Sequence, residues 1–185
     1  LPFPLSTAGP LLCPGCLKRP PPYQRICAAF QYRFPINQLI MRSKFNRQPV
    51  YLALLAQLLI RSLDLSDLPA MILPVPMYPA RLRQRHYNQA YLLAKTVAQQ
   101  LQLPLTTDLL RKTVLTDTQS ALDAKARKRN LRNSFRCLQT PPHHVAVIDD
   151  VVTTGATATE ITRVLKRAGC ARVEIWAVAR TGKHD

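Results

Sequence analysis

Acidic side chains are scarce. The chain carries ten Asp and Glu against 26 Lys and Arg in 185 residues, a formal charge of +16. A surface built only for solubility mixes both signs. The imbalance therefore points to an anionic partner: nucleic acid, a phosphorylated metabolite or a membrane surface. Long apolar runs are also missing. No stretch reaches the roughly 18 residues that a membrane-spanning helix needs. The best candidate, residues 50–60, contains Gln57 and runs into Arg61. The chain opens on Leu1 and shows no basic, apolar, small-residue leader. A cytoplasmic protein is expected, with its own start lying upstream. Cysteine is confined to positions 13, 16, 27, 137 and 170. An odd set without a secretory leader suits thiols or metal ligands better than a disulfide framework. Aromatic residues are few beyond the N-terminal half, which counts against a dedicated nucleic-acid reader built on stacking.

What is present is organised. Residues 1–35 are rich in proline, with Pro20, Pro21 and Pro22 in a row and one Cys-Pro-Gly-Cys. Such a stretch is not expected to form a helix and reads as an extended arm or the remnant of a metal-stapled module. Leu52, Leu55, Leu58 and Leu59 predict a helix across residues 49–63, with Pro49 placed to start it. Residues 70–75 (AMILPV) predict a buried strand, and Leu92, Leu93, Val97 and Leu101 a helix over 88–101. A polar stretch, 106–120, and a basic segment, 125–136, follow. Residues 145–148 are apolar and mostly β-branched, as in a central parallel strand covered on both faces. Ile161, Val164, Leu165 and Ala168 mark the core face of the next helix, with Gly169 at its C′ position, and residues 173–179 (VEIWAVA) form another strand. Strand, loop, helix and strand in succession make a βαβ unit. The class is α/β with a parallel sheet flanked by helices. Two parts are expected: a small irregular Cys/Pro-rich arm over 1–35 and a main domain over 36–185.

The strand at 145–148 leads into a chemically specific segment. Asp149 and Asp150 stand at its C-terminal end, where open α/β sheets place ligands. Val151 and Val152 follow, and then Thr153, Thr154, Gly155, Ala156 and Thr157 enter the helix. Small side chains let backbone N–H groups approach an anion, hydroxyls add donors, and the helix N-terminus contributes about half a positive charge. This is a monophosphate cradle. It lacks the lysine of a P-loop and the three-glycine spacing of a dinucleotide site. Two adjacent acids beside a phosphate would repel it unless they bind its hydroxyls or a metal. Ribose 5-phosphate meets that demand. The plainer alternative, an acid capping the helix, requires one Asp and not two.

The segment resembles the type I phosphoribosyltransferase signature. By that resemblance Asp149 and Asp150 contact the ribose hydroxyls of phosphoribosyl pyrophosphate (PRPP), Thr153 to Thr157 bind its 5′-phosphate, and Mg²⁺ rides on its pyrophosphate. The purine-salvage members carry Asp where this chain has Thr153, so hypoxanthine and guanine are not expected substrates. In such proteins the loop after an early strand holds pyrophosphate, which makes Arg81, Arg83 and Arg85 of RLRQRHYNQA candidate diphosphate contacts. The same segment also reads as a solvated basic turn, with Asn88 and Gln89 capping locally.

A second basic segment contains Lys125, Arg127, Lys128, Arg129, Arg132 and Arg136. At helical spacing Arg129, Arg132 and Arg136 share one side, while Leu131 and Phe135 share another. Gln119, Arg129, Asn130 and Arg132 are the candidate contacts from this flexible loop and basic helix, suited to the phosphates of PRPP or of nucleic acid. The order LPVPM, RxRxRxYNQ, RKT…TQ…L…RKRN…F and IDDVVTTGAT resembles the ComF/GntX-like family over residues 20–181. The resemblance implies a type I phosphoribosyltransferase domain behind a small zinc-binding module. It also implies a role in natural competence: assisting single-stranded transforming DNA into the cytoplasm together with uptake-machinery proteins, at the inner face of the membrane. The alternative is an active phosphoribosyltransferase that transfers ribose 5-phosphate from PRPP to an unidentified base or other nucleophile. Cys13 and Cys16 form one CxxC knuckle, half of a tetrahedral zinc site, so zinc would need Cys27 or another ligand.

Overall fold

A computed structural model describes residues 14–18, 20–45, 50–114 and 133–182 of the chain. Its elements are α1 (Pro14–Lys18), β1 (Arg25–Gln31), α2 (Ile36–Phe45), α3 (Val50–Ile60), β2 (Met71–Pro74), α4 (Pro79–Arg85) and α5 (Gln89–Leu101). After these come β3 (Leu110–Lys112), β4 (Phe135–Cys137), β5 (His144–Val152), α6 (Ala156–Arg167) and β6 (Arg172–Arg180). β1, β6, β5 and β2 lie side by side in that order, each pair parallel. A single parallel bridge, Ile72 to Leu105, extends the sheet beyond β2. The α/β class and the helix-flanked parallel sheet are as expected.

Alternation along the strands divides the core in two. Ala146, Ile148, Trp176 and Val178 face α3 and α5 and pack with Leu55, Leu59, Leu93 and Val97. Val145, Val147, Val173 and Ile175 face the other way, toward Ile161 and Leu165 of α6 and Phe135 of β4. Residues 145–148 are wholly shielded from solvent, as a strand covered on both faces must be.

The sequence expectations need three corrections. Residues 1–35 are not all arm. β1 is an edge strand of the main sheet, pairing Arg25 with Glu174 through Gln31 with Arg180, and so belongs with the domain assigned to 36–185. A short helix, α1, also forms beside the prolines because Pro14 occupies its first position, where no N–H is required. Finally, Phe135 and Arg136 are not on a basic helix: β4 pairs antiparallel with β3, joining Lys112 to Phe135 and Arg111 to Arg136.

The order of the strands positions the site. From β2 the chain moves outward to the Leu105 bridge by way of α5 on one face. From β5 it moves the opposite way, to β6, by way of α6 on the other face. The order thus reverses between β2 and β5, and a crevice opens there beyond their C-terminal ends.

Candidate functional site

β2 stops early. Pro74 pairs opposite Ile148, the Val75 N–H donates to the Ile148 carbonyl at 2.9 Å, and Pro76 then has no N–H to offer. β5 continues four residues past Ile148, still paired with β6 through Val152 and Arg180. Asp149 and Asp150 therefore border a gap left by the departing β2 chain, and both are half-buried. Their carboxylates accept from adjacent backbone N–H groups, Asp149 from Asp150 at 2.9 Å and Asp150 from Val151 at 2.8 Å.

α4 and α5 form the opposite wall. Pro79 starts α4, and His86, in the left-handed region at φ 65°, ends it by donating its N–H to the Leu82 carbonyl. Asn88 then caps α5: its Oδ1 accepts from the Ala90 N–H at 3.0 Å, and its Nδ2 donates to the Val75 carbonyl at 2.9 Å. One side chain thus ties the strand exit to the start of α5, whose positive end faces the crevice. The result is a cleft of about 160 Å³ bordered by Arg81, Arg85, Asn88, Gln89, Lys112 and the two aspartates.

Arg81 and Arg85 are four residues apart and share a face of α4. Arg83, two residues from each, lies exposed on another face and does not border the cleft. The predicted arginine trio is therefore a pair at this site. Two further residues join them that sequence reasoning did not single out as site residues. Gln89 is 3% exposed, and its Nε2 has no hydrogen-bond partner among the described residues. Lys112 enters from β3, with its ammonium 5.7 Å from the centre of the Phe135 ring. Burial holds the Lys112 ammonium below the ordinary lysine range and the Arg81 charge adds to this, while Asp149 acts in the opposite sense.

The hydroxyl-rich loop follows β5. Thr153 and Thr154 are exposed, and Thr154 Oγ1 accepts from the Ala156 N–H at 3.3 Å. Gly155 sits at the N-cap of α6 with φ 73°, a left-handed conformation that favours glycine. A Cβ there would also lie 3.4 Å from the Tyr23 hydroxyl. Thr153, Thr154, Gly155, Ala156 and Thr157 are contiguous with the acid pair in the chain but do not border the cleft between Asp149 and Arg81. Gln119, Arg129, Asn130, Arg132 and Cys13 lie outside the described residues. Cys16 is half-buried on α1, and among the described residues no group of three or more His, Cys, Asp or Glu could hold a metal ion. Cys27, on β1, is a thiol pushed up to about 11 by burial, against the opposing charge of Arg25.

No protein-family model matches the chain. DNA utilization protein YhgH of Escherichia coli K12 is 37% identical over 183 residues, spanning 95% of this chain and 81% of that protein. The Salmonella typhimurium protein of the same name is 38% identical over 186 residues, 96% of this chain and 82% of its own. Competence protein F of Haemophilus influenzae is 35% identical over 178 residues, 91% and 78% respectively. Among solved structures, orotate phosphoribosyltransferase from Aeropyrum pernix matches 76% of each chain at 18% identity, with a TM-score of 0.45. Adenine phosphoribosyltransferase from Trypanosoma brucei, in complex with AMP, pyrophosphate and ribose-5-phosphate, matches 75% of this chain at 16% identity and TM-score 0.45. The match spans only 56% of that enzyme.

Proposed function

Since the chain belongs to the ComF/GntX-like family, we propose that its strand-end crevice binds PRPP or a related phosphoribosyl ligand, within a protein that assists uptake of single-stranded transforming DNA. The observation carrying this reading is the meeting of Asp149 and Asp150 with Arg81 and Arg85 around one cleft. Carboxylates accept hydrogen bonds from sugar hydroxyls, and guanidinium groups donate to phosphate oxygens. A ligand with both groups on neighbouring atoms satisfies both walls together. The loop at 153–157 takes the 5′-phosphate, with the start of α6 adding its partial charge. Arg81 and Arg85 take the diphosphate, and Gln89 Nε2, without a partner among the described residues, donates to the same ligand.

Magnesium fits this donor set. It takes oxygen ligands and binds through one or two carboxylates plus substrate phosphates, and its chemistry when bound is to neutralise diphosphate charge. Asp149 and Asp150 are the residues that would hold it, the ion arriving with the ligand. Proteins of the DNA-uptake machinery, at the inner face of the membrane, are the partners in this reading. No helix among the described residues is long and apolar enough to cross a membrane.

Calorimetric titration of PRPP with Mg²⁺ tests the site. The wild type should give a saturable heat, and Asp149→Asn with Asp150→Asn should weaken binding about tenfold or more, the scale of one lost charge-assisted contact. A wild type that gives no heat would sink the reading. Pyrophosphate release across a nucleobase panel would separate transfer from binding.

A further inference from the structure

A second, larger cavity of about 780 Å³ adjoins the acid-bordered cleft and shares Pro76, Met77, Asn88 and Lys112 with it. Its walls come from α4, the start of α5, β3 and the two residues that follow β4, Leu138 and Gln139. Met77, Leu82, His86, Tyr87 and Tyr91 supply apolar and ring surface, and Leu138 closes the far side. Leu82 and Leu138 remain 40% and 48% exposed, so apolar surface lies open at the lips. Arg111 and Lys112 border the same cavity, and Asp108 is its only acid among the described residues.

Flat apolar faces beside cations suit a base with its flanking phosphates. Stacking requires only a π-face, and the phosphates require only positive charge. An apolar peptide would match the lips but not the cationic wall formed by Arg111 and Lys112. The volume lies within the range of sites that enclose an organic ligand of this size.

We propose that this groove holds a single DNA strand, with an unstacked base among Met77, Leu82 and Tyr91 and the neighbouring phosphates on Arg111 and Lys112. The inference rests on the DNA-handling part of the function proposed above and assigns it a place. Because the groove shares Lys112 and Asn88 with the phosphoribosyl cleft, strand and small ligand lie side by side and sense one another's charge. The few aromatics outside the N-terminal half do not count against it, since Tyr87 and Tyr91 both come from that half.

The test is fluorescence anisotropy of labelled oligothymidylate with the full chain, against a duplex of equal length. Leu82→Asp and Arg111→Glu should each weaken single-strand binding about tenfold, and Tyr91→Ala about fivefold or more, the value of a stacked base. Leu82→Asp alters an exposed position, so its result does not depend on a core change being tolerated. Calorimetric affinity for PRPP should be unchanged in Tyr91→Ala, which alters no charge, and oligothymidylate affinity should survive Asp149→Asn. If the wild type binds the oligomer but the groove variants bind it equally well, or duplex binds as tightly, the groove is overturned and the function reading stands. If the wild type binds no single strand, the DNA-handling reading itself falls.

Discussion

A buried carboxamide nitrogen without a partner forfeits the free energy of a hydrogen bond, about 1–3 kcal/mol. Among the described residues Gln89 Nε2 is such a nitrogen, at the first position of α5, 3% exposed and against the cleft. Leucine has similar volume and no donor to satisfy. Gln89→Leu should therefore melt at the same temperature or higher, by about 1 kcal/mol of stability, while PRPP binding weakens about fivefold or more. Thermal melting and calorimetry on the same sample check both halves. Unchanged PRPP affinity would make Gln89 a structural residue only. The sequence showed Gln89 as a local capping candidate. Whether its Nε2 meets a partner depends on what packs around α5, and no local pattern encodes that.

At the scale of elements, the α4–α5 corner does most to shape the site. Its two anchors are the left-handed His86 and the two-way hydrogen bonds of Asn88. Asn88→Ala removes the helix cap, costing about 1 kcal/mol, and also frees the β2 exit at Val75. A fall in melting temperature together with weaker PRPP binding is expected, even if Asn88 touches no ligand. Asn88→Asp, which keeps the capping oxygen, should recover most of the stability but not the tie to Val75. Melting curves of the two variants would separate the roles. The segment RLRQR reads in sequence as the opening of a helix with its three arginines together, and only the folded α4 sets Arg83 apart from Arg81 and Arg85. β3 was not readable, because its three residues sit in a polar stretch and acquire a strand's partners only from β4.

The whole molecule has two chemically distinct ends. Opposite the crevice, at the start of β1, β5 and β6, Glu174 is fully buried. It accepts from Arg25 Nε at 2.9 Å, Arg172 Nη2 at 2.9 Å and Trp176 Nε1 at 3.0 Å. Burial pushes its carboxyl up, but the Trp176 and Arg25 hydrogen bonds and the arginine charges outweigh this and hold it below the usual carboxylate range. His144 Nε2 lies 3.3 Å from Glu174 Oε1 without hydrogen-bond alignment. Burial and then the Arg172 charge hold its imidazole below the ordinary histidine range, against the pull of Glu174 and Asp67. Both shifts act in the same direction on stability. A histidine depressed in the folded state contributes fully above the unfolded value of about 6.5, and that contribution is lost as pH falls toward its folded value. The glutamate contribution is present above about 4.3 and disappears below it, as pH falls through the folded value. The melting temperature should therefore decline on acidification from about pH 6.5, and His144→Gln should remove the upper part of that decline. A wild-type melting temperature independent of pH across that range would contradict this account of the network.

Much of the chain could be read locally. The four apolar residues before Asp149, the hydroxyl-rich loop and the leucine spacing of α3 and α5 are each set by a few neighbours in sequence. Strand and helix periodicity therefore revealed them, together with the α/β class. Other features depend on residues far apart in the chain. β1 joins the sheet only because β6, more than a hundred residues later, offers it an edge. Lys112 reaches the cleft only because β4 fixes β3 beside it. The acid pair at 149 and 150 was visible from the start as a strand-end chemical signal. What it faces, Arg81 and Arg85 without Arg83, was decided by the reversal of strand order between β2 and β5, because only long-range pairing opens a crevice there.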